Sequence, residues 1–303
     1  MQGGRMTGAG RHKATRRCHW VPQAYLKAFA ADGTSRRKIW RLGVSEGRPE
    51  LKDIGKVAVR HHLYVPMDDL GQRDDRFEKK LAELERQFAS DLWASLCGGM
   101  VDLRKPSARR TIALLAATLW LRTPRQLDVQ RSIHAQFVAA CSTPLGLPDE
   151  LEIGGRVFQM NPADWPEFRD ADEDAVKRMW IAEMNGAARY AEILTGMRWS
   201  VICAEQDAFI TSDAPVACLH PSLQFRGLRD RETLILLPIS PRRLLVLDNR
   251  TQKPDGLYHP LLGSAASFNR LLWREAIGHV FSSRDPDLVC AELIEEADQG
   301  GTA

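Results

Sequence analysis

Residues 172–203 read DEDAVKRMWIAEMNGAARYAEILTGMRWSVIC, and the hydrophobic period changes inside that stretch. Through Thr195 the apolar side chains Val176, Trp180, Met184, Ala187, Ala191 and Leu194 recur at steps of three and four, the signature of one helical face. From Trp199 to Cys203 the run is short, apolar and β-branched, which predicts a strand. Helices are expected upstream of this switch and strands downstream.

Working upstream, Pro106 opens a helix through Ile112, Leu115 and Leu119. Thr123-Pro124 stops or kinks it, because proline lacks an N–H and clashes with the preceding turn. Leu127 to Ala140 resumes the pattern. Asp74 to Leu96 reads as one amphipathic helix on Phe77, Leu81, Leu84, Phe88, Leu92 and Leu96, ended by Gly98-Gly99. The opening third predicts a short helix over Val21–Ala30, entered through Pro22 at its first position. Strands are expected over Lys38–Val44 and Lys56–Val65.

Working downstream, strands are expected at Ala208–Ile210, Thr233–Leu237 and Leu244–Leu247, and two short helices near 264–277 and 286–297. Residues 142–171 look irregular apart from a small hairpin around Ile153–Val157. The result is an α+β fold, a helical middle packed between β-rich N- and C-terminal portions without regular βαβ alternation. One domain is expected over 18–297, helical from about 74 to 196 and β-rich from about 198 to 250. Residues 1–17 form a disordered basic leader and 298–303 a disordered tail.

With 303 residues, 44% of them apolar, the chain can bury a core without disulfide or metal support. Its 42 basic and 39 acidic side chains are too evenly balanced to imply a polyanionic partner on their own. The leader is different, carrying Arg5, Arg11, Lys13, Arg16 and Arg17 with no acid. Such a segment is ordinarily solvated, and it also fits contact with phosphate backbones, so nucleic acid is a candidate partner. Arg36-Arg37-Lys38 and Arg109-Arg110 read as surface pairs. There is no apolar run long enough for a membrane span and no apolar export segment, so a cytoplasmic protein is expected. The six cysteines form no Cys-x-x-Cys and read as reduced structural thiols.

Several chemistries lack their motifs: the phosphate-cradling P-loop, the dinucleotide glycine fingerprint, His-Glu-x-x-His and Gly-x-Ser-x-Gly. Glu78-Lys79-Lys80 offers a Glu-x-Lys, but the helical pattern puts it on the exposed face. His61 and His62 are adjacent on a strand-like stretch and point to opposite faces, so they do not share a metal easily. The acids Asp170, Asp172, Glu173 and Asp174 complement a helix start. Two residues stand out. His19 precedes a helix, where it can cap or react, and Asp213 sits in a turn after Phe209-Ile210, where an acid is either a turn former or a rigidly placed site residue.

The ordered series of motifs resembles a family of bacterial proteins of unknown function, domain-of-unknown-function family 4238. His19, Pro22, Tyr25, Leu26 and Phe29 match its opening segment, and Glu85 within Leu81–Glu85 matches its helical glutamate. Arg122-Thr123-Pro124, Thr211–Val216, Pro238-Ile239-Ser240-Pro241 and Asn269 follow in order, over roughly residues 18–282. Ala214 stands where the family often has asparagine, and Ile239 where it has leucine. The resemblance implies a fold and selects residues without supplying an activity.

Two functions compete for those residues. In a hydrolase of a phosphate-containing substrate, His19, Glu85 and Asp213 would be catalytic, and Arg122, Ser212 and Asn269 would bind substrate. A divalent metal is the possible cofactor, assisting nucleic-acid hydrolysis. In a non-catalytic binding or sensor module of a defence or mobile-element cassette, the same residues form a structural hydrogen-bond network. A plain scaffold is the third reading. Convergence of His19, Glu85 and Asp213 on one open cleft separates the first from the others.

Overall fold

The computed structural model describes residues 17–300, apart from 46, 69, 143–146, 154, 155 and 225. The basic leader through residue 16, with the nucleic-acid contact expected of it, and the tail from 301 lie outside the described residues. Arg17 belongs to the first strand and the last helix runs on to Gly300.

The architecture is α+β. The chain starts with β1 (Arg17–His19), α1 (Gln23–Leu26) and a 3-10 turn (Lys27–Phe29). β2 (Lys38–Gly43), β3 (Glu50–Asp53) and β4 (Val59–His61) follow. The helical middle holds α2 (Arg76–Glu85), α3 (Asp91–Gly98), α4 (Pro106–Leu121) and α5 (Pro124–Cys141). After the hairpin β5 (Glu150–Ile153) and β6 (Arg156–Gln159) come α6 (Trp165–Arg169), α7 (Glu173–Asn185) and α8 (Ala187–Gly196). The C-terminal part holds β7 (Arg198–Cys203), β8 (Thr211–Ser212), β9 (Ala217–Leu219), β10 (Leu234–Ser240), β11 (Arg243–Asp248) and β12 (Leu257–Pro260). α9 (Ala266–Glu275), β13 (His279–Ser282) and α10 (Pro286–Gly300) close the described chain.

The β-rich ends meet. One sheet has the order β3-β2-β13-β8, so strands from both ends of the chain pair, Val280 opposite Leu42 and Phe281 opposite Thr211. The other sheet runs β12-β7-β11-β10-β9 and is antiparallel except where β12 joins β7. α4 packs along α8, and its Ile112, Leu115 and Leu119 enter a core shared with Val21, Tyr25, Phe29, Trp199, Leu237 and Leu245.

Four expected elements differ for identifiable reasons. The helix expected over Asp74–Leu96 is broken between α2 and α3. A 3-10 turn over Arg86–Ala89 leads to Ser90, whose extended backbone and Oγ, accepting from Trp93 N at 3.3 Å, cap α3. The stripe survives because Leu81, Phe88 and Leu96 stay buried across the break. The helix expected over Asp172–Thr195 divides at Gly186. Lys56–Val65 forms only the short β4, flanked by Ala58 and His62 in the left-handed region (φ 47° and 53°). Val57, Leu63, Tyr64 and Val65 are buried by this folding over, not by alternation across a strand. Likewise, Ala208–Ile210 is a buried lead-in, and the strand begins at Thr211.

Arg109 is not the surface residue its Arg-Arg context implied. Its guanidinium lies 4.8 Å from the Trp199 ring and donates to Thr195 O at 2.8 Å and Asp255 Oδ2 at 2.8 Å. Asp255 also accepts from Trp199 N at 2.7 Å, so one ion pair ties α4 to the start of β7.

Candidate functional site

The break at Pro124 builds the most concentrated polar cluster. Thr123 is extended (ψ 150°), as the residue before a proline prefers, and α4 ends with carbonyls lacking helical partners. Side chains satisfy them: Trp180 Nε1 donates to Leu121 O at 2.9 Å, and the Tyr64 hydroxyl donates to Arg122 O. Arg122 itself is 1% exposed. Its Nη2 donates to Glu85 Oε1 at 2.7 Å and to His19 O at 2.6 Å, and the guanidinium lies 5.6 Å from the Tyr64 ring. A buried guanidinium needs such partners, because desolvation of its charge costs several kcal/mol (on the order of 5) if uncompensated.

Three of the expected site residues therefore do come together: His19, Glu85 and Arg122. The imidazole of His19 reaches Gly55 O, with Nε2 at 3.2 Å, and burial lowers its pKa below the usual histidine value. A fourth member was missed. Glu78 lies three residues before Leu81 and seven before Glu85, so it shares the inward face of α2 and is not on the exposed side. Burial pushes its carboxyl up to about 7, against the attraction of Arg122 and with the repulsion of Glu85. The Cys18 thiol hydrogen-bonds to it and is itself pushed up to about 11 by burial. Glu78 Oε2 and Arg122 Nε are both buried and lack hydrogen-bond partners among the described residues. A polar residue recurring on an apolar stripe was the signal that could have found Glu78.

Asp213, Ser212 and Asn269 form a separate group. Asp213 is 2% exposed, and its carboxylate accepts from Ile277 N at 2.8 Å and from Gly278 N and His279 N at 3.0 Å each. The Ser212 hydroxyl accepts from Ala214 N at 3.1 Å. Asn269 bridges the approach to β8, accepting from Ile210 N at 3.1 Å and donating to Ala208 O at 2.8 Å. Among the described residues no hydrogen bond or ion pair joins Asp213 to His19. The link is their neighbour: Trp20 Nε1 donates to Asp213 O at 2.8 Å. Tyr25 adds a second tie, its buried hydroxyl lying 2.7 Å from both Thr211 Oγ1 and Pro238 O.

A cavity of about 820 Å³ lies elsewhere. It opens between α1 with its 3-10 turn, α3 and the β10–β11 turn, with Phe88 and Trp93 on its wall and Lys27 and Arg36 among its lining. Arg242 also lines it, but is paired to Asp207 Oδ1 at 2.9 Å. Among the described residues, one group has the ligand spacing of a metal site: His220, Asp230 and Glu232. None of these was selected by motif. All six cysteines are free thiols, and no helix among the described residues is long and apolar enough to cross a membrane.

The chain belongs to the family described as Protein of unknown function (DUF4238), whose sequence profile matches residues 17–286. No functionally curated protein and no solved structure matches it. Membership confirms the resemblance carried by the ordered motifs.

Two substitutions test the energetics of these groups. Asp213→Asn places an amide N–H against the Gly278 and His279 donors and is expected to cost about 3 kcal/mol in denaturant unfolding. For Glu78, the folded pKa lies above the unfolded value of 4.5, so the native state binds the extra proton between roughly pH 4.5 and 7. Its contribution to stability is therefore lost as pH rises through that window. Between pH 5 and pH 8 the wild type should lose about 2–3 kcal/mol relative to Glu78→Gln. Parallel pH profiles of the two proteins would refute the assignment.

Proposed function

We propose that this protein is a non-catalytic binding module for a small anionic ligand with an apolar body, and that the motif residues are its frame. The observation that carries this reading is the presence of unpaired cations and aromatic rings in the lining of one 820 Å³ cleft. Lys27 and Arg36 both lack hydrogen-bond or ion-pair partners among the described residues, and they line the cleft with Phe88, Trp93 and the acids Asp32 and Asp207, of which Asp207 is paired to Arg242. Trp93 is 3% exposed and its buried indole N–H has no acceptor. This volume is within the usual range of a ligand cleft. Arg36 and Ser35 hold left-handed backbones (φ 57° and 50°), a cost that non-glycine residues bear mostly where a loop is held in one shape.

Saturation of Asp213, Ser212 and Asn269 by backbone groups also favours a frame role for them. A bacterial, cytoplasmic setting within a defence or mobile-element cassette belongs to the same proposal, and the free thiols are compatible with it.

Hydrolysis of a phosphate-containing substrate is the second reading, favoured by one observation. Glu78, with its raised pKa, and Arg122 each present an unpartnered buried atom beside His19 and Glu85.

One experiment separates the two. Mononucleotides are titrated into the wild type and Lys27→Ala/Arg36→Ala, and the same samples are assayed for phosphatase and nuclease activity with added divalent metal. The binding reading expects saturable affinity that falls about 10-fold or more in the double variant, with no turnover. Turnover abolished by Glu78→Gln would replace it with the hydrolase reading.

A further inference from the structure

His220 leaves the end of β9, and Asp230 and Glu232 precede the start of β10. The pairing of these strands, Leu234 opposite Leu219, draws the two ends of the intervening loop together. Residues ten and twelve apart in sequence thus face one another at its base. The loop is pinned there: Thr233 Oγ1 donates to Gly227 O at 2.8 Å, and Asn249 Nδ2 to Leu228 O at 2.8 Å and Asp230 O at 2.7 Å. Asp230 is oriented further by Glu232 N, which donates to its Oδ1 at 2.9 Å.

We propose that His220, Asp230 and Glu232 form a divalent-metal site of the zinc type, with its remaining coordination positions open to an adjoining cavity. His220 Nε2 lies 3.2 Å from Asp230 Oδ1 and 3.8 Å from Glu232 Oε2, and one atom from each residue fits within 4.8 Å of the others. Metal bonds of about 2.0–2.1 Å at tetrahedral angles separate neighbouring ligands by roughly 3.3 Å, so only the exposed Glu232 side chain must adjust. His220 is 8% exposed, which holds its ring in place.

Ser222 supplies the support on the other side of the ring. Its Oγ lies 2.6 Å from Nδ1 and its N–H points at the same atom at 3.1 Å. In the metal-free protein that N–H favours a proton on Nε2, shared with Asp230. With a metal on Nε2 the ring proton sits on Nδ1, where Ser222 Oγ is placed to accept it and the Ser222 N–H turns aside. A hydrogen-bonded second nitrogen is the usual support of a metal-bound histidine.

His220 and Glu232 also line a cavity of about 310 Å³, together with Arg231, Arg250 and Arg274. Three protein ligands with open positions toward such a space define a site that can take an exogenous ligand, and the arginines make an anion its natural class. An imidazole ligand favours zinc over magnesium, which prefers all-oxygen surroundings. The site shares none of the residues proposed to bind ligand in the larger cleft and stands independently of that reading.

The test is zinc titration of the full chain by calorimetry, with magnesium competition, on the wild type, His220→Ala, Glu232→Gln and the exposed-histidine control His259→Ala. One zinc per chain is expected, not displaced by a 100-fold excess of magnesium. Affinity should fall at least 100-fold in His220→Ala and at least 10-fold in Glu232→Gln, and stay unchanged in His259→Ala. Glu232 is exposed, so its variant reports on the site without disturbing the core. Absence of a stoichiometric site, or zinc binding that Glu232→Gln leaves unchanged (as binding by free thiols would be), overturns the proposal.

Discussion

The buried guanidinium of Arg122 is the constraint around which the N-terminal half is arranged. A charge at 1% exposure requires a carboxylate, oriented carbonyls and an aromatic face, and here they come from different elements. Glu85 comes from α2, the His19 carbonyl from β1, and the Tyr64 ring from the turn after β4. Arg122 takes this position as the C-cap of α4, two residues before Pro124 opens α5. A continuous helix would occupy the Arg122 carbonyl that Tyr64 now satisfies, and would carry α5 away from α7. The proline break, the ion pair and the placement of α2 are therefore one arrangement.

Asp213 plays the corresponding part at the other end. Three consecutive backbone N–H groups lead into β13, at Ile277, Gly278 and His279. The Asp213 carboxylate accepts all three, while its own N–H pairs with His279 O at 3.0 Å. That seats β13 between β2 and β8, which is how the two ends of the chain enter one sheet. Trp20, adjacent to the carbonyl that Arg122 holds, reaches Asp213 O and couples the two arrangements.

Much of this frame was legible in the sequence, and what was missed has a physical pattern. Local chemistry showed through: the Thr123-Pro124 break, the hairpin around Ile153–Val157 and the switch to strands after Thr195 follow from proline geometry, glycine turn chemistry and hydrophobic period. Interruptions that preserve burial did not. The 3-10 turn at Arg86–Ala89 keeps Phe88 inward, so the apolar stripe reads as unbroken although Ser90 starts a new helix. The helical pattern of α2 read alone puts Glu78 outward, whereas its inward position is met by the Cys18 thiol and the nearby Arg122 charge. Pairing between β2 and β13 is non-local and leaves no mark on either segment alone.

The same reasoning explains why motif and chemistry separate in this chain. A motif residue such as Asp213, Asn269 or Ser212 is fixed in type by backbone groups that need a partner at one place, and that requirement is fully met inside the fold. A ligand site needs the opposite, groups left unmet. Lys27, Arg36 on its left-handed loop and the Trp93 indole are such groups outside the motifs, and among the motif residues Arg122 keeps one, its buried Nε. His220, Asp230 and Glu232 converge only after β9 and β10 have paired, so no spacing rule in the sequence reveals them. In this chain the ordered motifs describe how the two ends lock into one frame.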